Sequence, residues 1–396
     1  MRIVHIAPNA PYNENWGYQE NILPKYHRKM GHDVTLITSC FKHENGKIVD
    51  TAEEDRVQED GVRLIRRKQR RLISRTISNC VAYIPVYGLL KEINPDFIFF
   101  HGLISWSVMD AVRFKKSKPS CIIVQDNHMD YNIGYSSDTL RKKLLRSWYR
   151  YLNHRSIGFV ARVYGVTPWR KTYAADYFHI PEDKLDVLIM GADDVKIDFS
   201  RKQEIRQEIR NRYGINDETF LIVTGGKIDK NKKTDVLVKA CADIQGIKLL
   251  VFGQIADDCE DYFRGLFHRK DNIIYAGWID ANKVYDYYLA ADLVVFPGQH
   301  SVLWEQACAC KVPCLFARWD GMEHVNNGGN SAFIDDVSVV GIQSKIQELL
   351  FTNTYYKMKT VAESEKTDVF LYSNIAKKSL ETVEKMHVFK ERIQST

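Results

Sequence analysis

The stretch FLIVTGGKIDKNKKTDVLVKACADI, residues 220–244, contains the repeating unit that predicts the fold. FLIVT indicates a buried strand, a Gly-Gly turn follows it, and the apolar spacing of TDVLVKACADI predicts a helix. A run that is apolar throughout, rather than alternating, is typical of a parallel sheet covered by helices on both faces. The stretch therefore predicts one βα unit of a doubly wound α/β domain.

The same unit recurs in both halves of the chain. In the first half, RIVHIA, DVTLIT, DFIFFH, CIIVQD and RVYGVT read as strands; in the second half, FLIVTGG, IKLLVFGQ, NIIYAGW, DLVVFPG, VPCLFARW and SAFID do so. Helical patterns such as YQENILPKYHRKMG and QEIRQEIRNRYG separate many of them. We predict two Rossmann-like domains, residues 1–190 and 191–370. An amphipathic helix over 371–396 is expected to pack back toward the first domain.

Composition is that of a soluble globular protein: 45% of the 396 residues are apolar and 27% are charged. No apolar stretch approaches the roughly 20 residues that span a bilayer. The start, MRIVHIAPNAPY, lacks the pattern of a signal peptide, so a cytoplasmic location is expected. None of the eight cysteines forms a CxxC pair, which favours free buried thiols over disulfides or zinc.

The positive charge, +6 overall, is concentrated in two segments. These are RLIRRKQRRLISR, Arg63–Arg75, and RKKLLRSWYRYL, Arg141–Leu152. In the second segment, leucines and aromatics alternate with cations at helical spacing, which suits the anionic inner face of a membrane. The alternative is a helix face that packs on its own domain. We see no nucleic-acid-binding module and expect no nucleic-acid partner.

Ligands of open α/β sheets bind beyond the carboxyl ends of the strands, so the segments that follow strands are the candidate site. After FLIVT, Gly226 would let the backbone approach a ligand, and Lys227 and Lys232 would supply positive charge to a diphosphate. The alternative is a solvated basic loop.

After the strand LVVF comes PGQHSVLWEQA. The amides of His300, Ser301 and Val302, at a predicted helix start, would form a second anion site. Glu305, one turn later, could accept two hydrogen bonds from a vicinal diol such as ribose. The alternative is that Glu305 is a first-turn acid favoured by the helix dipole.

The first half offers a further set of candidates. Gly17, before the first helix, could admit a phosphate or a sugar. His128 follows the strand CIIVQD and has Asp126 and Asp130 as neighbours, and His101 ends another strand. A lone histidine is usually structural, but two on the same predicted edge favour a functional role.

These segments, in this order, resemble the retaining family 4 glycosyltransferases of the GT-B fold, particularly bacterial enzymes of exopolysaccharide or capsule assembly. VLIMGAD resembles the interdomain segment of that family, and GGKIDKNK resembles its GRxxxxKG motif, with Lys227 in place of the usual arginine. YAGWID, LAADLVVFPG and WDGMEHVNNGGNSAFI resemble the segments around the nucleotide pocket.

The resemblance implies a role for each candidate. Lys227 and Lys232 would neutralise the donor diphosphate and stabilise the leaving phosphate, with no metal and no cofactor. The backbone at Gly277, Trp278 and Ile279 would hold the base, which is expected to be uracil. Gly17 and Gly226 would lie against the diphosphate or the sugar, Glu305 would hold the ribose, and His128 would hydrogen-bond the donor sugar near the reacting carbon. A hexosyl group would pass to a lipid-linked or growing glycan acceptor.

The sequence departs from the family pattern around Glu305. The family has two acids in an E-x7-E pattern, and the residue eight places before Glu305 is Pro297, so the first acid is missing; His300 or Gln299 would take its place. Counting back from Pro313 places Gln306, rather than Glu305, at the ribose position. These departures keep two alternatives open: a GT-B nucleotide-sugar epimerase, and a binding protein that has lost catalysis.

Overall fold

The structure, a computed structural model, describes residues 1–9, 11–14, 16–44, 47–70, 81–131, 139–268, 270–350 and 352–394. The chain divides into two compact units. Unit 1 comprises 1–189 and 375–396, and unit 2 comprises 190–374. The observed division lies one residue from the predicted boundary, and most of the C-terminal helix groups with unit 1. Among the described residues, no helix combines the length and the apolarity needed to cross a bilayer.

Unit 1 is built on an eight-stranded sheet in the order β10-β9-β8-β7-β1-β2-β6-β5, parallel except for the β5–β6 pair. Its strands are β1 Arg2–Ala7, β2 Asp33–Ser39, β5 Glu54–Val57, β6 Arg63–Arg67, β7 Phe97–Phe100, β8 Ile122–Asn127, β9 Arg162–Gly165 and β10 Leu185–Val187. A separate hairpin pairs β3 Phe41–Glu44 with β4 Lys47–Asp50. The helices are α1 Gln19–Lys29, α2 Tyr87–Ile93, α3 Val108–Ser117, α4 Leu140–Ser156, α5 Pro168–Phe178 and most of α13 Tyr372–Gln394.

Unit 2 has a six-stranded, fully parallel sheet in the order β13-β12-β11-β14-β15-β16. Its strands are β11 Phe220–Gly225, β12 Ile247–Phe252, β13 Ile273–Gly277, β14 Leu293–Phe296, β15 Cys314–Ala317 and β16 Ser331–Ile334. Its helices are α6 Lys202–Arg212, α7 Thr234–Cys241, α8 Glu260–Phe267, α9 Val284–Ala290, α10 Leu303–Ala309, α11 Val339–Leu350 and α12 Asn353–Ala362.

All eleven predicted strands are present, because continuous apolar runs become parallel strands of the two sheets. In unit 2, Ile222, Leu249, Val295 and Leu315 are fully buried from neighbouring strands. The order of the sheet reverses at β1 in unit 1, where β2 and β7 flank it, and at β11 in unit 2, where β12 and β14 flank it. Such switch points leave a crevice at the carboxyl ends of the strands, where the candidate residues lie.

The basic segment Arg63–Arg75 proved to begin as a strand. In β6, Arg66 is buried and pairs with Glu54, while Arg63 pairs with Asp55 at 2.8 Å and Glu92 at 3.1 Å. Acids of the antiparallel strand β5 thus neutralise the charges of Arg63 and Arg66. Positions 71–80, which include Cys80 and the last two arginines of the segment, lie outside the described residues. The seven described cysteines are buried and unbonded to one another.

Candidate functional site

A cavity of about 750 Å³ lies at the carboxyl ends of β11, β12 and β13 in unit 2. Its walls include Gly226, Lys227, Phe252, Trp278, Ile279 and Leu303. Trp278 is 69% exposed, so much of its indole surface is open to a ligand. The cavity therefore joins a cationic, glycine-containing loop on one side to an aromatic and apolar wall on the other.

Close backbone packing forms the floor of this cavity. A Cβ atom at Gly253 would lie 1.8 Å from the carbonyl oxygen of Gly226, so only glycine fits there. The N–H of Gly253 in turn donates to the carbonyl oxygen of Gly277 at 2.7 Å. Three glycines thus bring the ends of β11, β12 and β13 together, and Gly277 serves as part of that frame.

Lys232 ends a short 3-10 turn whose backbone is capped by Asp229. Its Nζ atom donates to the carbonyl oxygens of Gln299 at 2.8 Å and His300 at 3.3 Å, in the loop after β14. Burial lowers the pKa of the Lys232 ammonium below its ordinary value, against the opposing charge of Asp229. Lys227, in contrast, is 68% exposed and approaches Asp229 at 3.6 Å. The two predicted cations therefore differ: Lys227 faces the cavity, and Lys232 holds the loop after β14.

Glu305 lies in the interior of unit 2, on the seven-residue helix α10. Its Oε1 atom is 2.9 Å from His300 Nε2 and 2.8 Å from His324 Nε2. Although burial opposes ionisation, these two histidines hold the pKa of Glu305 below its ordinary value. The carboxylate is fully buried and outside the cavity wall, so contact with a ribose, which stays a prediction, would require it to leave these partners.

The neighbours of Glu305 are hydrogen-bonded as follows, and their predicted contacts with a donor stay predictions. The ring of His300 is hydrogen-bonded to the carboxylate of Glu305, and its carbonyl oxygen accepts a hydrogen bond from Lys232 Nζ. Ser301 and Val302 accept the first backbone hydrogen bonds of α10, from Trp304 and Gln306. Gln306, the alternative ribose ligand, is 8% exposed. His324 was not identified from the sequence, because it lies 19 residues beyond Glu305, in the short 3-10 helix Glu323–Val325, and nothing local marks it.

A second cavity, of about 400 Å³, lies at the carboxyl ends of β1, β7 and β8 in unit 1. Its walls include Asn9, Trp16, Tyr18, His43, His101, Ile104, His128 and Met129. The ring of Trp16 stacks on that of His43 at a centroid distance of 5.2 Å, so the β3–β4 hairpin contributes to an aromatic wall. Gly17 lies between two residues of that wall. His128 lines this cavity, and its side chain is 38% exposed.

Asp126 connects the two predicted histidines beneath this cavity. Its Oδ2 atom is 2.7 Å from His101 Nδ1 and 3.3 Å from His128 Nε2, and Oδ1 accepts from the N–H of Gly102 at 2.7 Å. Burial opposes ionisation of Asp126, but the two imidazoles outweigh it and lower its pKa. Burial likewise lowers the pKa of His128, but the charge and hydrogen bond of Asp126 raise it above its ordinary value. The other neighbouring acid, Asp130, pairs with Arg170 at 3.2 Å.

Two groups of described residues bring histidine and carboxylate atoms within 4.8 Å, as a metal ion would require: His101, Asp126 and His128, and His300, Glu305 and His324. In both groups the carboxylate already receives hydrogen bonds from both histidines. Hydrogen bonding therefore accounts for each arrangement.

Two family models match the chain. The model described as Glycosyltransferase Family 4 matches residues 23–195, and the model described as Glycosyl transferases group 1 matches residues 205–364. Together they span most of the sequence. Among curated proteins, the uncharacterized glycosyltransferase MJ1607 of Methanocaldococcus jannaschii is 22% identical over 223 residues, 53% of this chain and 56% of that protein. The chain thus spans about half the length of this relative.

Solved structures share the fold over the whole chain. The Anabaena protein Alr3699/HepE, solved in complex with UDP, is 15% identical with a TM-score of 0.67, covering 97% of this chain and 100% of that one. UDP-GlcNAc 2-epimerase from Neisseria meningitidis, bound to UDP-GlcNAc, is 13% identical with a TM-score of 0.58, covering 97% and 100%. At such identities the likeness concerns the fold, and the predicted GT-B fold is confirmed.

Proposed function

This chain belongs to glycosyltransferase family 4, and from that premise we propose that it is a retaining hexosyltransferase. It takes a sugar from a nucleotide-diphosphate donor with uracil as the base. It transfers that sugar to a lipid-linked or growing glycan acceptor in the biosynthesis of an exopolysaccharide or capsule.

The observation that carries this proposal is the cavity of about 750 Å³ in unit 2, whose volume suits a nucleotide diphosphate. In our proposal the base lies against Trp278 and Ile279, and the diphosphate lies beside Gly226 and Lys227. The Lys227 ammonium neutralises the phosphate charge. Lys232, by holding Gln299 and His300, fixes the loop after β14 at the edge of the donor.

Stabilisation of the departing phosphate is the main catalytic contribution that we propose for these residues. Negative charge accumulates on the phosphate as the glycosidic bond breaks, and a preorganised cation stabilises that charge more than it stabilises the ground state. Because Lys227 supplies positive charge at the cavity and Lys232 adds a second cation behind the loop after β14, the proposed reaction needs no metal. His128 would hydrogen-bond the donor sugar near the reacting carbon, as the family resemblance implies.

A donor screen tests the proposal directly. UDP- and GDP-sugars are added one at a time, and a ligand that binds only the folded protein raises its melting temperature. We expect at least one UDP-sugar to raise it, and expect slow release of UDP from that donor without an acceptor. A full panel that neither shifts the melting temperature nor yields nucleotide would refute the proposal.

An epimerase is the second candidate, favoured by the His101–Asp126–His128 cluster at the cavity of unit 1, since acid–base chemistry needs such groups. It would release a free epimerised sugar from the donor. The third candidate, a binding protein without turnover, follows from the missing first acid. Release of a free epimerised sugar without any acceptor separates the epimerase from the transferase. Replacing His128 and Lys232 singly by alanine separates an enzyme from a binding protein, because only an enzyme has turnover to lose.

We further propose that α4 contacts the cytosolic face of an anionic membrane. Leu140, Leu144 and Tyr151 are 74%, 64% and 50% exposed along this helix, and Arg141 and Lys143 are exposed beside them. Other parts of α4 belong to the core, since Tyr149 and Leu152 are buried and Trp148 stacks on Trp106. The exposed apolar stripe with flanking cations is the pattern of an interfacial helix.

Sedimentation with vesicles of anionic and of neutral lipid tests this surface. We expect binding to anionic vesicles that weakens with salt, and loss of binding in Leu140→Glu/Leu144→Glu. Val340→Glu is the matched control, because Val340 is 69% exposed but lies in unit 2 on α11. If Leu140→Glu/Leu144→Glu and Val340→Glu bound anionic vesicles equally well, α4 would not be the membrane-contacting surface.

A further inference from the structure

Five hydrogen bonds form a continuous chain through the interior of unit 1, from the C-terminal helix to His128. Ser379 Oγ is 2.8 Å from His27 Nε2, His27 Nδ1 is 3.0 Å from His5 Nε2, and His5 Nδ1 is 3.1 Å from His101 Nε2. His101 Nδ1 and His128 Nε2 then share Asp126 Oδ2, at 2.7 and 3.3 Å. Within this chain, His128 is the member with substantial exposure to a cavity.

His5 and His27 are neutral members of this series of hydrogen bonds. Both are fully buried, and burial is the main cause that lowers the pKa of His5 and brings that of His27 to about 3. A neutral imidazole carries one N–H and one lone pair, so each of these residues donates in one direction and accepts in the other. All the hydrogen bonds from Ser379 to His101 must therefore run in the same donor-to-acceptor direction, either toward His101 or away from it.

The two directions differ by one proton. In the first, Ser379 donates to His27, His27 to His5 and His5 to His101 Nε2, so His101 is neutral and donates Nδ1–H to Asp126. In the second, His101 is an imidazolium that also donates Nε2–H to His5, His5 donates to His27, and His27 donates to Ser379. Ser379 then donates to the carbonyl oxygen of Ala376 at 2.7 Å. Ser379, His27, His5 and His101 each keep a hydrogen-bond partner in both directions, so the geometry permits either one.

Asp126 couples this proton to the cavity. Its one negative charge faces His101 and His128 through the same oxygen, so it can fully compensate one imidazolium and not two. We propose that His101, backed by His5 and His27, is a positioning residue that competes with His128 for the charge of Asp126, so that these three histidines set the protonation state that His128 presents to the cavity. This inference deepens the proposed function, since it assigns the control of a residue placed in that reaction.

The other charged groups around the chain lie at its two ends. Glu20 of α1 and Arg170 of α5 act on His128 in opposite directions, the first favouring and the second opposing its positive charge. His32, after α1, opposes a charge on His27. None of these groups lies between His5 and His101. A substitution at His5 can therefore change the competition between His101 and His128 for the charge of Asp126 without altering these other charges.

Removing the ring of His5 should shift the titration of His128 upward. In His5→Leu, the Nε2–H of a charged His101 has no acceptor, and losing a charge-assisted hydrogen bond costs more than losing a neutral one. His101 stays neutral, and His128 keeps the charge of Asp126 undivided. We expect the midpoint of the His128 Hε1 resonance to rise by about half a pH unit or more. His5→Gln should fall between this variant and the wild type, since its amide oxygen can accept from His101.

Tyr164→Phe is the matched control. It removes another buried hydrogen bond between the sheet and the same C-terminal helix, Tyr164 Oη to Thr382 Oγ1 at 3.0 Å, without touching the chain. His27→Leu keeps the test decisive if His5→Leu does not fold, because it also leaves the charged direction with an unsatisfied N–H; its shift should be upward and smaller. A His128 midpoint in these variants that equals or falls below that of the wild type and of Tyr164→Phe would overturn the inference.

The titration needs no donor, so it stands apart from the proposed reaction. If the protein turns over a donor, the pH profile of turnover should shift with the resonance of His128. A shifted resonance without any turnover would refute the proposed function and leave the coupling in place. Turnover with an unshifted resonance would refute the coupling alone.

Discussion

Gly298 packs so closely on Lys232 that a Cβ atom at position 298 would lie 2.4 Å from the carbonyl oxygen of Lys232. The adjacent Gln299 N–H donates to the carbonyl oxygen of Asn231 at 3.1 Å, and Lys232 Nζ donates to the carbonyl oxygen of Gln299 at 2.8 Å. The loop after β14 and the lysine turn after β11 are thereby joined as one unit. This contact, between two residues 66 positions apart, explains why a glycine follows Pro297.

We expect Gly298→Ala to weaken donor binding and to lower the free energy of unfolding by about 1–3 kcal/mol, because backbone atoms have to move to admit the methyl group. Chemical denaturation and the thermal shift with UDP measure the two effects. Gly265→Ala is the control: this glycine lies in α8 with open space around it, so alanine should be neutral or stabilising. If both variants showed the same free energy of unfolding and the same thermal shift with UDP, the close contact at Gly298 would not be required for stability or donor binding.

Lys232→Met should reduce turnover of the donor by about 100-fold or more, because it removes a cation and frees the carbonyl oxygens of Gln299 and His300. Lys227→Met should mainly raise the Kd for UDP, since this side chain faces the cavity and is largely exposed. Lys239→Met is the comparison, as Lys239 is 44% exposed on α7 and outside the cavity wall. Losses of equal size at all three positions would point to net charge rather than to placement.

The sequence predicted eleven of the fourteen strands described in the two sheets, because their apolar runs are continuous, as RIVHIA and IKLLVFGQ illustrate. It did not predict β3 to β6 or β10. Strands β3, β4 and β5 are largely polar and lie in a hairpin or at a sheet edge, whereas β6 lies inside the sheet but carries three arginines. Strand β10 is a three-residue edge strand. FKHE and EDRV carry no apolar pattern, and their pairing depends on partners that the local sequence does not specify.

The candidate site was predictable to the extent that it follows strand ends. Lys227, Trp278, Ile279 and His128 all face cavities there. The surroundings of Glu305 were not predictable, because the direction of a side chain on α10 depends on the helix packing and on His324, which is distant in sequence. The hydrogen bonds that connect His101 to His5 and His27 were hidden, since His5 lies within an apolar strand and His27 within an amphipathic helix, where a histidine reads as an ordinary core residue.

Trp278→Ala should abolish most of the thermal shift caused by UDP while leaving the unliganded melting temperature nearly unchanged. The side chain is 69% exposed at the cavity wall, so it contributes little to the core, whereas a base stacked on it would lose its contact surface. Tyr356→Ala serves as the comparison, because Tyr356 is 66% exposed on α12 and away from the cavity. If UDP raised the melting temperature of Trp278→Ala as much as that of the wild type, the base would have to bind elsewhere than against Trp278.

Chelation should leave turnover unchanged. If Lys227 and Lys232 neutralise the diphosphate, treatment with EDTA followed by gel filtration should give the rate of untreated enzyme, and added Mg²⁺ or Mn²⁺ should not raise it. A rate that falls on chelation and recovers with one divalent ion would show that a metal performs this role. The two histidine–carboxylate groups would then be the places to search for it.

Glu305→Gln distinguishes an internal brace from a ribose ligand. Because the pKa of Glu305 is held below its ordinary value of 4.5, the carboxylate stabilises the fold above that value, and this stabilisation is lost as the pH falls through the lower folded pKa. At pH 7 the variant should therefore unfold more easily by about 1–3 kcal/mol, and the difference from the wild type should shrink below pH 4.5. Chemical denaturation from pH 7 to pH 3 measures it, with Glu348→Gln, an exposed i,i+3 pair with Lys345, as the control. If Glu305 instead held a ribose, the variant would keep its stability at both pH values and lose affinity for UDP.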